Sequence, residues 1–464
     1  MPDLNRIGEG PRPGFFVAII GSFLWLVLLT PTLIESDAYR YATLILVAAG
    51  LFYFWKYRSF VRLHWTGWLC IAWGLYATAR FLILYFDGPV HQKGASEWLY
   101  IFPIFFPLLG ITLFVFRPHV EKIVALYFAA VLVFLLVTTQ YVAILGGEAI
   151  TPLIQNNRIH GAVACGLMMI SAFFWLMHYT RGEMRSAHIA KFALAAAPVI
   201  ITLALLNIYG SKSKGVWLAT AITFPVMFLL AQTYMRAFSA RCLSLAILAL
   251  LIGGIALFWQ NLIATTGPTL SAIGAGWNEY ASGGDISKMM NDSIASDQTP
   301  LSMNERLQLW SNAWEVFSAA PLFGQGNHWL DSWKLTRYSK VGYTLIHNGY
   351  MEIAIRHGIF GLAVFFVLLA GFLSAARNAQ KLSLMSLPAL HCYYATIIFF
   401  CVTLLSNSNN RLAIGEMFFL LVGAIAISSL IAADLLRKQQ RAQASSTTRP
   451  SLPQESVLPL QQTV

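Results

Sequence analysis

A run of about twenty apolar residues is the strictest instruction a sequence can carry. In hydrocarbon no water serves the backbone, so such a run must close its own hydrogen bonds as a helix. This chain holds about twelve runs that approach that length. They lie near 14–33, 41–56, 65–86, 97–116, 122–145, 161–180, 189–208, 215–235, 239–265, 357–376, 386–406 and 412–435. Hydrophobic residues make up 57% of the chain and charged residues 11%, about half the charge of a soluble domain. The expected fold class is therefore an all-α polytopic membrane protein with about 12 transmembrane helices. The first run, from Gly14, is long and lacks a small-residue cleavage site, so it reads as a span rather than a leader. No repeat of 20–50 residues is visible.

The net charge is +11, and its distribution sets the expected topology. Alternate connections carry Lys56/Arg58/Arg62, Arg117/Lys122, Arg181/Arg185/Lys191, Arg236/Arg241, Arg377/Lys381 and Arg437/Lys438/Arg441. The positive-inside rule assigns these to the cytoplasm together with Arg6 and Arg12, and an even span count brings both termini there. Residues 1–265 then hold spans one to nine, and 266–346 form an outward loop. Residues 347–436 hold a short outward helix and spans ten to twelve. Residues 437–464, rich in Ser, Thr, Pro and Gln, are expected to be a disordered tail. Cys70, Cys165, Cys242, Cys392 and Cys401 fall within or beside apolar segments without a CxxC spacing, and they read as core residues.

The outward loop has two parts. Its first half, GAGWNEYASGGDISKMMNDSIASDQTP, is expected to be irregular. Its second half, SMNERLQLWSNAWEVFSAAP, predicts a helix opened by a Ser302–Glu305 capping box, with Arg306 in the first turn. Leu307, Trp310, Trp314 and Phe317 recur at helical period and predict the apolar face. Pro321 and the FGQGN turn stop the helix.

Some basic residues break the inside rule. Arg158 precedes span six, Lys212 and Lys214 join spans seven and eight, and Arg306 opens the insert helix. Arg411 precedes span twelve, and Arg80 lies within span three. Singly, each can snorkel to lipid phosphate or pair with a loop acid, although an arginine inside a span marks function or a buried ion pair. Together they would form a positive outward cavity suited to a lipid-borne phosphate or pyrophosphate. In YTLIHNGYMEIAIRHGIFG, residues 343–361, His347 is expected in the first turn of a helix running into span ten. The partial positive charge there disfavours imidazolium and leaves a ring able to act as a base. Asn348 and Tyr350 are candidates to orient that ring or a sugar, and His357 is expected to end the short helix beside Gly358. The alternative is an interfacial histidine that merely caps the helix. Glu35 and Asp37 are one weak acid pair for a divalent ion. With no HExxH, DxD, His/Cys cluster or P-loop, neither a metal nor a nucleotide cofactor is expected, and nothing points to nucleic acid.

SMNERLQLWSNAWEVFSAAPLFGQGNHW followed by HNGYMEIAIRHGIFGLAVFF resembles the carboxy-terminal signature of the bacterial O-antigen ligase and polymerase superfamily. The shared pattern is an Arg-x-x-x-Trp helix, a Pro-Leu-Phe-Gly-x-Gly turn and a His-Asn motif entering a membrane helix. The layout is most similar to the lipopolysaccharide O-antigen ligase branch. The resemblance implies a metal-independent, inverting membrane glycosyltransferase of the C type in the inner membrane of a Gram-negative bacterium. It would move O-antigen from undecaprenyl pyrophosphate to lipid A-core on the periplasmic side, among membrane lipids. His347 matches the residue that activates the acceptor, and Arg306 the one that holds pyrophosphate. SKSKGVWLA resembles the family's Ser-Arg-Gly-x-Trp segment, with Lys214 where Arg is usual. Arg158 is a weaker match, and Lys212, Arg80, Asn348, Tyr350 and Arg411 are supporting candidates. An O-antigen polymerase or a protein O-oligosaccharyltransferase of the same superfamily is the enzymatic alternative. A lipid-linked sugar flippase is the non-enzymatic one.

Overall fold

A computed structural model describes residues 13–58, 61–87, 95–180, 186–233, isolated positions between 241 and 274, 286–297 and 299–447. The ninth expected span, 239–265, lies outside the described residues apart from those isolated positions, as do Arg6, Arg12, Arg181, Arg185, Arg236 and the tail from 448. The helices are α1 Phe15–Leu28, α2 Ala38–Lys56, α3 Trp65–Asp87, α4 Phe106–Phe116, α5 Val120–Thr138, α6 Tyr141–Leu145, α7 Arg158–Thr180, α8 Ala187–Gly210 and α9 Lys214–Gln232. After the sparsely described stretch come α10 Ile286–Ala295, α11 Leu301–Ala319, α12 Trp329–Lys334, α13 Gly349–Lys381, α14 Leu387–Leu404 and α15 Ala413–Thr447. Among the described residues there is no β-strand, only an isolated bridge between Ile34 and Ile154.

Ten described stretches are long and apolar enough to cross a membrane. One of them, Leu99–Thr138, is 40 residues long. A short turn at Arg117–His119, containing Pro118, divides it, matching the two spans expected at 97–116 and 122–145. The chain is a polytopic all-α membrane protein. Helix α7 is its axis: 83% of its most apolar window is buried inside the protein, against 22% for α3, so α7 meets other helices and α3 meets lipid. Three expectations change. Residues Ile286–Ala295 of the insert are helical rather than irregular. Helix α15 runs on to Thr447, so the first part of the expected tail is ordered. Cys242 is exposed, whereas Cys70 and Cys165 are buried, and all five thiols are free.

The connections sort themselves to two ends. At one end, Glu35 N–H donates to Ile154 C=O (3.0 Å) and Lys212 Nζ donates to Gly147 C=O. There too, Asn348 Nδ2 donates to Leu405 C=O (3.3 Å) and Arg80 Nη2 to Gly324 C=O (2.7 Å). At the other end, Arg117 donates to Leu384 C=O, Tyr179 to Glu121 (2.9 Å) and Arg437 to Asn378 (3.0 Å). This division follows the alternation of basic and non-basic connections along the chain.

Helix α13 is broken. Gly358 has φ 64° and ψ −160°, a conformation open essentially to glycine alone. His357 closes the short amino-terminal segment and the long span follows. The break frees backbone groups in an apolar layer, and the insert takes them up. Ile359 N–H donates to Pro321 C=O (2.8 Å), Phe360 N–H to Leu322 C=O (3.0 Å), and Ile355 C=O accepts from Gln325 N–H (2.7 Å). The PLFGQG turn is thus a splint on the broken helix. A Cβ at residue 358 would lie 2.3 Å from Leu322 O. Gly358→Ala is therefore expected to destabilise the protein by about 2 kcal/mol or more. An unchanged melting temperature in detergent would contradict the splint.

Candidate active site

The amino end of α13 is capped by Asn348, whose Oδ1 accepts from Tyr350 N–H (3.0 Å) and Met351 N–H (3.1 Å). His347 therefore stands before the cap, not in the first helical turn, and its backbone is left-handed, with φ 55°. Asn348 and Tyr350 do not orient its ring. Asn348 is spent on the cap and on Leu405, and Tyr350 Oη donates to Cys401 C=O (2.8 Å). The ring partner is Asn407, with Nδ1 3.3 Å from Oδ1. With Oδ1 as the acceptor, Nδ1 carries the proton and Nε2 keeps its lone pair.

The residue before the histidine is fixed at both amide groups. Ile346 is fully buried, its N–H donates to Glu352 Oε1 (3.1 Å), and its C=O accepts from Trp310 Nε1 (3.1 Å). Trp310 belongs to α11, and Arg306, four residues earlier, shares its helical face. Arg306 is in the second turn rather than the first. Helix α11 starts at Leu301 behind Pro300 with no side-chain cap, so the Ser302–Glu305 box does not form. The apolar face is wider than expected: Leu309, Ala313 and Val316 are buried with Trp329, Trp333 and Ile355, Leu307 is buried too, and Trp310 and Phe317 pack against that cluster. Of the four expected residues only Trp314, 56% exposed, points away.

The charge of Arg306 acts on both His347 and Lys214. Lys214 opens α9. A Cβ on the next residue, Gly215, would come within 1.9 Å of Ser406 Oγ. The absence of a side chain there seats the start of α9 directly on the turn that carries Asn407. Three residues singled out in the sequence, Lys214, Arg306 and His347, thus gather at one end of the bundle. Burial lowers the Arg306 guanidinium from its usual value, and it stays charged at neutral pH. Burial, then the charge of Arg306, holds the His347 imidazole below its ordinary range, against the Asn407 hydrogen bond and the carboxylates Glu352 and Glu305. Near pH 7 the ring is neutral.

The remaining cations are placed otherwise. Arg158 is exposed at the start of α7, and no described contact joins it to His347. Lys212, with φ 50°, donates from Nζ to Gly147 C=O. Among the described residues Arg80 forms no ion pair; it donates to Tyr76 Oη (2.7 Å) and Gly324 C=O (2.7 Å), which fastens the splint to α3. Arg411 pairs with Glu352 (2.9 Å). Glu35 accepts from Asn156 N–H (3.0 Å) while Asp37 pairs with Arg40 (3.0 Å), so the two acids diverge. Among the described residues no three His, Cys, Asp or Glu side chains cluster as a metal set would. Asn407 and Glu352 escaped the sequence reading. The signal for Asn407 was present in SNSNNR, an amide-rich stretch between two apolar runs.

Residues 199–366 match the family model described as O-antigen ligase. That segment, well short of half of the chain, is similar to the O-antigen ligase family. The match begins within α8 and ends in α13, so it contains Lys214, Arg306 and His347, whereas Asn407 lies beyond it. Proteins of that family are of the glycosyltransferase-like ligase and polymerase type, which acts on lipid-linked polysaccharide in a membrane. No curated protein matches the chain. The site makes one electrostatic prediction. Carbethoxylation of His347 across pH, read by peptide mass spectrometry, should have its midpoint below the ordinary 6.5. Arg306→Gln should raise that midpoint, since a cation opposing protonation is removed. A wild-type midpoint at or above the ordinary value would refute the neutral ring.

Proposed function

We propose that the protein transfers O-antigen polysaccharide from undecaprenyl pyrophosphate to lipid A-core. The site would face the periplasm from the inner membrane of a Gram-negative bacterium, with both termini cytoplasmic. The observation that carries this reading is a neutral, asparagine-held imidazole under the field of Arg306, with Lys214 in the same field. Two cations beside a base match what glycosyl transfer from a lipid diphosphate requires. The leaving group gains negative charge as the anomeric bond breaks, and the nucleophile must lose a proton.

In the proposed reaction, His347 Nε2 takes the proton of an acceptor hydroxyl. The oxygen forms a bond to the anomeric carbon from the face opposite the pyrophosphate, and the bond to the leaving oxygen breaks. Undecaprenyl pyrophosphate departs with the electron pair, and the anomeric configuration inverts. Arg306 offers a planar fork to the diphosphate oxygens, and Lys214 supplies a point charge. No nucleotide is consumed, because the phosphoanhydride-bearing lipid already activates the sugar.

Purified protein given labelled lipid-linked donor, lipid A-core and EDTA is expected to form the ligated product. His347→Ala and Arg306→Ala are each expected to lower the rate by about 10²–10³-fold at equal folded yield. Lys214→Ala should cost less than Arg306→Ala, and Lys214→Arg should retain transfer. Transfer to another lipid-linked repeat in place of lipid A-core would make the protein a polymerase. Near-normal transfer by His347→Ala would sink the base assignment.

A further inference from the structure

Glu352 has no role in the reaction just described, yet its surroundings are the most tightly specified on α13. It is 0% exposed. One carboxylate oxygen, Oε1, accepts from Ile346 N–H (3.1 Å), Ser408 Oγ (2.9 Å) and Arg411 Nη1 (3.1 Å). The other, Oε2, accepts from Arg411 Nη1 (2.9 Å) and from Arg356 Nη1. Arg356 in turn lies over the Trp329 ring, 4.4 Å from its centre.

The register of these contacts is informative. Ile346 immediately precedes His347, and Ser408 immediately follows Asn407. A single oxygen atom therefore bonds to a neighbour of each member of the hydrogen-bonded pair. His347 also needs holding. A left-handed backbone is strained for a residue with a Cβ, and such a conformation persists only where its surroundings over-determine it. Trp310 on Ile346 C=O and the Asn348 cap supply part of that restraint. Stability alone is a weak reason for the arrangement, because a buried ion pair is often no better than an apolar replacement.

We infer that Glu352 is a positioning residue for proton transfer: through Oε1 it fixes the backbone beside both His347 and Asn407, and so sets where the free imidazole nitrogen points. The inference rests on the reading of His347 as the base. Its expected signature is a lower turnover with unchanged binding, since the cations that meet the donor are not touched.

Ser408→Ala is the cleanest probe, because it removes one arm of the clamp and leaves no charge unpaired. In the ligation assay it is expected to lower kcat by about 5–30-fold, with KM for the lipid-linked donor and the melting temperature unchanged. Glu352→Gln should lower kcat further, with the same KM, where folded protein is recovered. Combined with His347→Ala, Ser408→Ala should cost nothing more, since no tethered base remains to be aimed. The clamp is overturned if Ser408→Ala keeps wild-type kcat, or if it lowers the residual rate of His347→Ala by the same factor as in the wild type. Those outcomes leave the base assignment standing. Full activity of His347→Ala alone would instead remove the reading on which the clamp rests.

Discussion

A helix interrupted inside an apolar layer must hand its freed backbone groups to other parts of the protein, since lipid offers them nothing. Gly358 imposes that condition on α13, and the PLFGQG turn meets it with three backbone hydrogen bonds. The consequence reaches the site. The turn directly follows α11, so docking it on the break fixes the carboxy end of the helix that carries Arg306. Trp310 on Ile346 C=O fixes the same helix nearer its middle. Arg80 holds the turn from the α3 side through Gly324 C=O. An insert that looks like a loose outward loop is therefore tied to the helix whose amino end presents His347.

The span pattern was legible because hydrocarbon leaves the backbone few choices, whereas the His-Asn turn stood out as a titratable group ahead of an apolar run and the PLFGQG motif as a helix-stopping turn. Details set by tertiary partners were not. The Ser302–Glu305 box has the right spacing, but Pro300 begins the helix at Leu301 and leaves both residues inside it. The apolar face of α11 was expected on Leu307, Trp310, Trp314 and Phe317. Leu307 is buried and Trp310 and Phe317 do pack inward, but partners later in the chain, Trp329, Trp333 and Ile355, widen the covered stripe to Leu309, Ala313 and Val316 and leave Trp314 outside it. Period alone cannot weigh a tryptophan that can sit half in water against an alanine that must be covered.

Charge was legible by sign and less so by role. Arg80, Lys212 and Arg411 break the inside rule as visibly as Arg306 and Lys214. Yet Arg80 and Lys212 serve carbonyl groups, and Arg411 serves a buried carboxylate. A broken helix and tight outward turns expose carbonyl oxygens that need donors, and a long cation reaches them from a neighbouring element. Which cations remain for an anion depends on which carbonyls go unserved, and that is a property of the assembled turns.

Burial first, and then Arg306, disfavour protonation of His347, so the field that would bind a diphosphate also helps keep the imidazole neutral. On the proposed reading the two effects are ordered in time. A dianionic group between Arg306 and Lys214 cancels much of their charge at His347, and the ring becomes more basic once the donor is bound. The stronger base then exists only in the loaded site, where an acceptor hydroxyl has an anomeric carbon to attack. An arginine placed farther away would weaken this coupling along with the grip on the leaving group, because both follow from one distance.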